Sequence, residues 1–393
     1  MKIHRTIPPA AALINISDLL HGFAGIFLGR RYQKKLENEL REHFGTKHVF
    51  LVSSGKAALT IILKALKSLS PERKSVLIPA YTCFSVPSAV VKAGLTVALC
   101  DIDQKTFDFD PELFEDSLSA DTLCVVADHL FGIPSNVDRI GEACRKRSIF
   151  VVEDAAQAMG GTYKGNRIGT LGDVGFFSLG RGKNITCGSG GIILTNSDII
   201  AQKIQEEWSH LRNPGFVNAI TEILKLTILS VFIFPSLYWF PAGLSFLRLG
   251  QTFFYRDFPI ERLSDMKAGI LHKWLDRLDK ANAQRRSKSD ELISTLHLKH
   301  LEAGIPYLRL PVLANDKKTK ERFLAFSREE GLGLTPMYPA PISEIEEIRE
   351  MFAGQRYQTA KDVSERLLTI PTHKFLSSRE IKKIACMFSS DVV

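Results

Sequence analysis

The chain has 393 residues and a mass of 43.9 kDa, about two to three times the usual domain size, so two domains are the default and a single small binding module is excluded. Hydrophobic residues at 45% and charged residues at 24% are those of soluble globular proteins and exclude a disordered, collagen-like or coiled-coil chain. Fifty-one Lys plus Arg against 43 Asp plus Glu give +8, an excess that suits phosphorylated substrates or an anionic membrane surface, while the basic residues are too dispersed for nucleic acid.

In chain order, a basic, proline-bearing start (Met1 to Ala11) leads to a short apolar stretch, Ser17 to Arg30, too short and too poorly flanked for an export signal and expected to be a packing arm. Residues 1–30 form this arm. Arg31 to Phe44 has the spacing of an amphipathic helix stopped by Gly45. Strands are expected at His48 to Ser53, Ser75 to Pro79, Thr96 to Cys100, Leu123 to Ala127, Ile149 to Val152, Val174 to Leu179 and Gly190 to Thr195. Between them the pattern predicts helices at Ala57 to Leu69, Phe84 to Ala93, near Pro111 to Ser119 and at Asn136 to Arg147, with another from Asp198 to about Arg212. The strands are apolar without period-two alternation, so both faces are covered: a mostly parallel sheet in an α/β domain, residues 31–220.

An apolar insertion, residues 221–257, interrupts this pattern; Leu226 to Leu247 carries no charge and is broken by Pro235 and Pro241. Residues 258–393 begin with a long helix through Trp274 and Leu278 to about Leu296 and continue as a smaller α+β domain. Its elements are a strand at Tyr307 to Val312 and helices near Lys318 to Glu330 and Thr359 to Leu368. Cys83, Cys100, Cys124, Cys144, Cys187 and Cys386 show no CxxC and no metal spacing, so they read as reduced thiols of a cytoplasmic protein, with no metal site expected.

Clusters at strand ends carry the chemistry, since open α/β sheets build their sites there. Ser53-Ser54-Gly55-Lys56-Ala57-Ala58-Leu59 runs from a strand into a helix start whose free N–H groups can cradle an anion, although a plain turn fits this motif as well. Val151-Val152-Glu153-Asp154-Ala155-Ala156-Gln157 is an apolar strand ending in acids, which needs a cation or strong donors, unless Asp154 simply caps the following turn. Phe176-Phe177-Ser178-Leu179-Gly180-Arg181-Gly182-Lys183 ends in a lysine beside Arg181; held out of bulk water it could form a Schiff base with an aldehyde, against the plainer reading of a basic surface loop. The order of anion cradle, acid, then serine and lysine is what a pyridoxal phosphate site needs.

At these residues the sequence resembles the DegT/DnrJ family of sugar aminotransferases, fold type I pyridoxal phosphate enzymes. The match runs from about Arg31 to Asn196 through SSGKAAL, Ile78-Pro79-Ala80-Tyr81-Thr82, Asp101-Ile102-Asp103, His129-Leu130-Phe131-Gly132, EDAAQA, GTLGD and the Ser178 to Lys183 spacing, and more faintly through Tyr338-Pro339 and LTIPTH. The resemblance implies that Lys183 is the Schiff-base lysine and proton shuttle, and that Asp154 pairs with the pyridinium nitrogen of pyridoxal 5'-phosphate. It also implies that Gln157 lies against the cofactor's face or ring oxygen, and that Gly55, Lys56, Ala57 and Ser178 hold its phosphate. It implies a homodimer, and Lys183 disfavours the sister dehydratase branch, in which histidine takes that place.

Three departures from the family pattern stand out. Lys56 replaces the usual Thr. Cys83 stands where an aromatic ring stacks on the cofactor, so the thiol, Phe84 or Tyr81 takes that part. The segment Ile260-Glu261-Arg262-Leu263-Ser264 lacks the Asn that reaches the partner's phosphate.

A membrane span at Leu226 to Leu247 would separate Lys183 from the C-terminal domain and divide one site, so the insertion is expected to dip into one leaflet or to meet another subunit. The expected activity is transfer of an amino group from an amino acid, glutamate first, to a keto sugar on a nucleotide or polyprenyl carrier, on the cytoplasmic side, with peripheral membrane contact through residues 226–247 if the insertion meets lipid and not another subunit. The alternatives are a decarboxylase or lyase of the same fold, or a non-catalytic cofactor-binding protein.

Overall fold

A computed structural model describes residues 5–388. After an extended segment the chain forms one long helix, α1 (Ile16–Phe44), kinked at Leu28. The expected arm at Ser17 to Arg30 is therefore the first half of this helix. Gly22, Gly25 and Gly29 hide it from a propensity argument, yet they are why it packs: a Cβ on Gly25 would lie 2.6 Å from the Asp265 carbonyl oxygen, and one on Gly22 2.6 Å from Ile270 Cδ1.

Strands and helices then alternate as β1 (His48–Val52), α2 (Gly55–Leu69), β2 (Ser75–Pro79), α3 (Ser85–Lys92), β3 (Thr96–Cys100), β4 (Thr122–Asp128), α4 (Val137–Arg145) and β5 (Phe150–Asp154). A short hairpin of β6 (Thr162–Tyr163) and β7 (Asn166–Arg167) precedes β8 (Val174–Ser178), β9 (Gly191–Thr195) and α5 (Asp198–Ser209). The helix expected near Pro111 to Ser119 is a run of turns instead; isolated bonds such as Phe114 N–H to Asp110 C=O do not propagate, and the segment spends its apolar residues burying Phe114 and Leu118 under the sheet.

The large sheet has the order β1-β9-β8-β5-β4-β2-β3. Parallel pairing joins β3, β2, β4, β5 and β8, while β9 is antiparallel to both β8 and β1. The mostly parallel α/β expectation holds. Because β4 and β2 are buried along their whole length, polar chemistry is confined to the strand ends.

Two helices follow, α6 (Phe216–Phe232) and α7 (Pro235–Ala242), meeting at 117°. Then come α8 (Asp265–Ile270), which lies against α1, and the long α9 (Trp274–Leu296). The smaller domain contains β10 (Arg309–Leu313), α10 (Lys317–Glu330), α11 (Gln358–Arg366), β11 (Leu367–Pro371) and α12 (Ser378–Phe388), with β10 and β11 antiparallel.

The extended N-terminal segment ties these parts together. Thr6 N–H donates to Pro235 O and Ile7 N–H to Gly331 O, at 2.9 and 2.7 Å, and Ala10 Cβ lies against Gly182, beside Lys183. His373 is buried beneath it: Nε2 donates to Pro8 O at 2.8 Å, and Nδ1 accepts from Phe375 N–H at 3.3 Å. These two bonds fit the neutral ring and leave no acceptor for a second proton. Burial, with the Arg285 and Arg309 charges nearby, pushes its pKa down to about 4. The unfolded chain takes up this proton near pH 6.5 and the folded chain only near 4, so the stabilisation is complete above 6.5 and is lost as pH falls. Urea melts at neutral pH and at about pH 5 should differ by roughly 2 kcal/mol from this residue alone. His373→Gln, which keeps a donor for Pro8, should lose that part of the pH dependence; an unchanged dependence would clear His373.

Candidate active site

Parallel pairing of β4 with β5 sets Asp128 opposite Asp154, so two carboxyl groups emerge side by side at the C-terminal edge of the sheet. Each is 6% exposed. Thr82 Oγ1–H donates to Asp128, and Ala156 N–H donates to Asp154 Oδ1 at 3.0 Å. Burial pushes both carboxyls above their ordinary range, and the charge of Asp154 raises Asp128 further; Lys183 is close enough to pull both back. Strand end, neighbouring acid and lysine thus converge on one spot. The neighbouring acid, Glu153, serves the fold: its carboxylate accepts from His129 Nε2 at 3.1 Å and from the Gly169, Leu171 and Gly172 N–H groups. Burial opposes its charge, but those donors hold its pKa below the usual value.

Gly55 and Ser178 meet at the start of α2. A Cβ on Gly55 would lie 2.9 Å from Ser178 Cβ, a separation real side chains do not adopt. The Ala57 N–H is taken by the Ser54 cap at 3.1 Å, which leaves the Gly55 and Lys56 N–H groups for an anion. Ser178 Oγ accepts from Gly180 N–H at 3.4 Å, and Gly180 adjoins the Lys183 stem. The cradle and the lysine are therefore neighbours, while Arg181 is turned out to solvent. Behind the loop, buried Arg285 donates to Lys183 O at 3.3 Å and to Asn184 O at 3.0 Å.

Lys56 sends its ammonium between the rings of Tyr255 and Phe258, 4.5 Å from each centroid, a cation–π clamp that keeps the charge at the rim of the cradle. Cys83 is partly exposed with its thiol 3.8 Å from Thr252 Oγ1. Tyr81 and Phe84 are both packed into the large-domain core, so of the three candidates for the stacking position Cys83 alone is partly open. Gln157 is buried, accepting from Phe131 N–H at 3.3 Å and donating to Tyr338 Oη at 3.0 Å.

Asp128, Thr82, Tyr338 and Arg285 were not singled out as site residues by the sequence reading. Asp128 carries the same signal as Asp154, an acid closing an apolar strand, and Tyr338 stands in the faint Tyr338-Pro339 match. Arg285 lies in a charged helix where nothing marks it. The segment at Ile260 to Ser264 is held within its own chain: Ser53 N–H donates to Glu261 O at 2.8 Å, and Arg262 lies 3.8 Å over the Trp208 ring. Among the described residues no cluster of His, Cys, Asp and Glu could hold a metal ion.

A lysine within electrostatic reach of two buried carboxyls, beside a helix N-terminus at the strand ends of a mostly parallel sheet, is thus set in a chain with a smaller second domain. The chain belongs to the DegT/DnrJ/EryC1/StrS aminotransferase family, whose profile matches residues 22–389. It is 26% identical over 361 residues to dTDP-3-amino-3,6-dideoxy-alpha-D-galactopyranose transaminase from Aneurinibacillus thermoaerophilus, covering 88% of this chain and 86% of that one. To GDP-perosamine synthase from Caulobacter vibrioides it is 34% identical over 175 residues, 44% of this chain and 47% of that protein, so this match spans about half of either. The Helicobacter pylori aminotransferase PseC, involved in the biosynthesis of pseudoaminic acid, has the same fold, with a TM-score of 0.76 at 16% identity over 98% of each chain.

The hydroxyl on Asp128 can be tested without any ligand. Thr82→Val removes the donor and leaves a buried carboxyl short of a partner, a loss of roughly 1–3 kcal/mol in urea unfolding, and Thr82→Ser should restore most of it. Equal stability of all three proteins would remove this bond from the account.

Proposed function

We propose that this aminotransferase takes nitrogen from an amino acid, glutamate in the simplest case, and delivers it to the keto carbon of a sugar carried on a nucleotide or polyprenyl lipid, with pyridoxal 5'-phosphate as cofactor. The observation that supports the reading is that Lys183 lies within electrostatic reach of buried Asp154 and its loop adjoins Ser178 and Gly55 at the start of α2. The residues fit that cofactor: a buried carboxyl lacking a full charge partner suits a protonated ring nitrogen, and the Gly55 and Lys56 N–H groups at the start of α2, beside the Ser178 hydroxyl, suit a phosphate.

When bound, the cofactor supplies an aldehyde carbon and an electron-withdrawing ring. Asp154 holds the ring nitrogen in its charged form, and Gln157 orients the ring from the side of Tyr338. Gly55 and Lys56 grip the phosphate through their N–H groups, Ala57 closes the first helical turn beneath it, and Ser178 adds a hydroxyl. Cys83 takes the stacking position. The Lys183 amine is the base that removes the proton from the amino donor's α-carbon, and later the acid that returns one to the sugar carbon. Arg285 fixes the backbone of the loop that carries it. A homodimer working on the cytoplasmic side, in peripheral membrane contact through residues 226–247, accords with this chemistry, since one site needs both domains on one face.

Lys183→Ala should abolish transfer of labelled nitrogen from glutamate to any member of a panel of keto sugars, together with the visible absorbance of bound cofactor. Retention of both would refute the assignment. Asp154→Asn keeps the shape but not the charge, and should slow the transfer by tenfold or more, about 1.4 kcal/mol or more in the barrier, while weakening cofactor binding; unchanged turnover would release Asp154 from its part.

A further inference from the structure

The outer face of α1 is apolar where its inner face is glycine. Ile16, Leu20, Phe23 and Phe27, spaced as one helical stripe, are 77, 65, 52 and 66% exposed, while Gly22, Gly25 and Gly29 turn inward to α8. A soluble helix would carry polar residues on that outer stripe. α6 repeats the arrangement beside it: Val217, Leu224, Ile228 and Val231 are 74, 60, 59 and 46% exposed, and Ala219 and Leu226 are buried. The two stripes join through the Phe27 and Phe216 rings, 6.5 Å apart, and α6 continues into α7 through Phe232 and Phe240, 5.6 Å apart.

The charges along these segments are mostly positive. From Ile14 to Lys35 the sole acid is Asp18, buried within reach of Arg277 and His272, against Arg30, Arg31, Lys34 and Lys35, all exposed. From Leu211 to Arg256 the sole acid is Glu222, which pairs with Lys225 at 3.3 Å and leaves Arg212, Arg248 and Arg256 as the further cations. Facing copies of such a surface would set like charges against each other, whereas an anionic leaflet is its complement. Among the described residues no single helix is long and apolar enough to cross a membrane; α6 and α7 reach that length and composition only as a pair bent by 117°, and amphipathic helices with one buried face suit the interface plane better than a span.

We propose that α1, α6 and α7 form one platform that lies on an anionic bilayer, its aliphatic and aromatic stripes in the acyl boundary and its cations at the headgroups. This widens the contact proposed for residues 226–247 to the first half of α1, and it does not depend on the chemistry at Lys183.

Vesicle flotation of the full chain tests it, with phosphatidylcholine alone and with phosphatidylcholine containing phosphatidylglycerol. Wild type should rise with the anionic vesicles and much less with the neutral ones, and brominated acyl chains should quench Trp239. Phe27→Asp combined with Ile228→Asp should cut the bound fraction at least tenfold while leaving circular dichroism and thermal unfolding unchanged. Should that variant misfold, Arg30→Glu with Arg248→Glu leaves the stripes intact and should remove the preference for anionic vesicles. Lys183→Ala should float like wild type, which separates failure of this proposal from failure of the aminotransferase reading. Wild type that stays at the bottom of the gradient with anionic vesicles overturns the proposal. So does a Phe27→Asp, Ile228→Asp variant that floats like wild type, or one that changes only the oligomeric mass in light scattering, which would assign the face to a second copy.

Discussion

Two carboxyl groups and one amine at the end of a buried sheet set the terms for the rest of the molecule. Taking a carboxylate out of water is costly unless a cation or several donors meet it, and here parallel pairing places two of them opposite each other. One lysine partly offsets both. Thr82 gives Asp128 its donor, while Asp154 is eased first by the charge of Lys183, then by the Ala156 N–H and the charge of His129. Asp128, with the charge of Asp154 set against it, is the more strongly raised of the two, and a further positive group at this edge would relieve both.

The lysine must be held for this to work, and it stands on a loop. Gly180 and Gly182 let that loop turn, so its rigidity comes from outside. Arg285 reaches two of its carbonyls, and the N-terminal segment passes over Gly182. That segment is itself fixed by His373 and by backbone bonds to Pro235 and Gly331. Small domain, insertion and arm therefore all bear on the position of one side chain. A site of this kind has its chemistry in a few residues and its precision in many.

The large domain was legible because covered strands leave an apolar signature and glycines mark their ends; each of the seven strands of its main sheet lies within a residue or two of the expected span, while the exposed β6–β7 hairpin, with no apolar run, was not expected. Asp154, Ser178 and Lys183 were legible for the same reason, as polar residues at points where an apolar run stops. What escaped obeys a different physics. The first half of α1 was hidden because its glycines act through close contact with α8, a tertiary property that no local propensity encodes. Arg285 was hidden among the charges of α9, since only the three-dimensional approach of that helix to the lysine loop distinguishes it from its neighbours. Tyr338 sits far along the chain from Gln157, and nothing in either segment announces their bond.

The insertion joins the site to the surface through α6. Its outer positions, Val217, Leu224 and Ile228, are apolar, whereas Asn218, Thr221, Glu222 and Lys225 line a cavity of about 450 Å³ shared with Ser54, Lys56, Arg262 and Lys267. Lys267 spans this wall, donating to Ser189 Oγ at 2.7 Å and facing Glu222 at 3.6 Å. With Lys56, Lys225, Arg262 and Lys267 against Glu222 and Glu261, the cavity favours anions. It opens beside the N-terminus of α2, the end of a helix that already attracts negative charge. One amphipathic helix thus separates an apolar exterior from a basic interior at the edge of the cradle. Helical periodicity alone makes that possible: residues three or four apart share a face, so one sequence can present hydrocarbon on one face and polar groups on the other. A transmembrane span would have to surrender the inner face, and the domain arrangement around Lys183 with it.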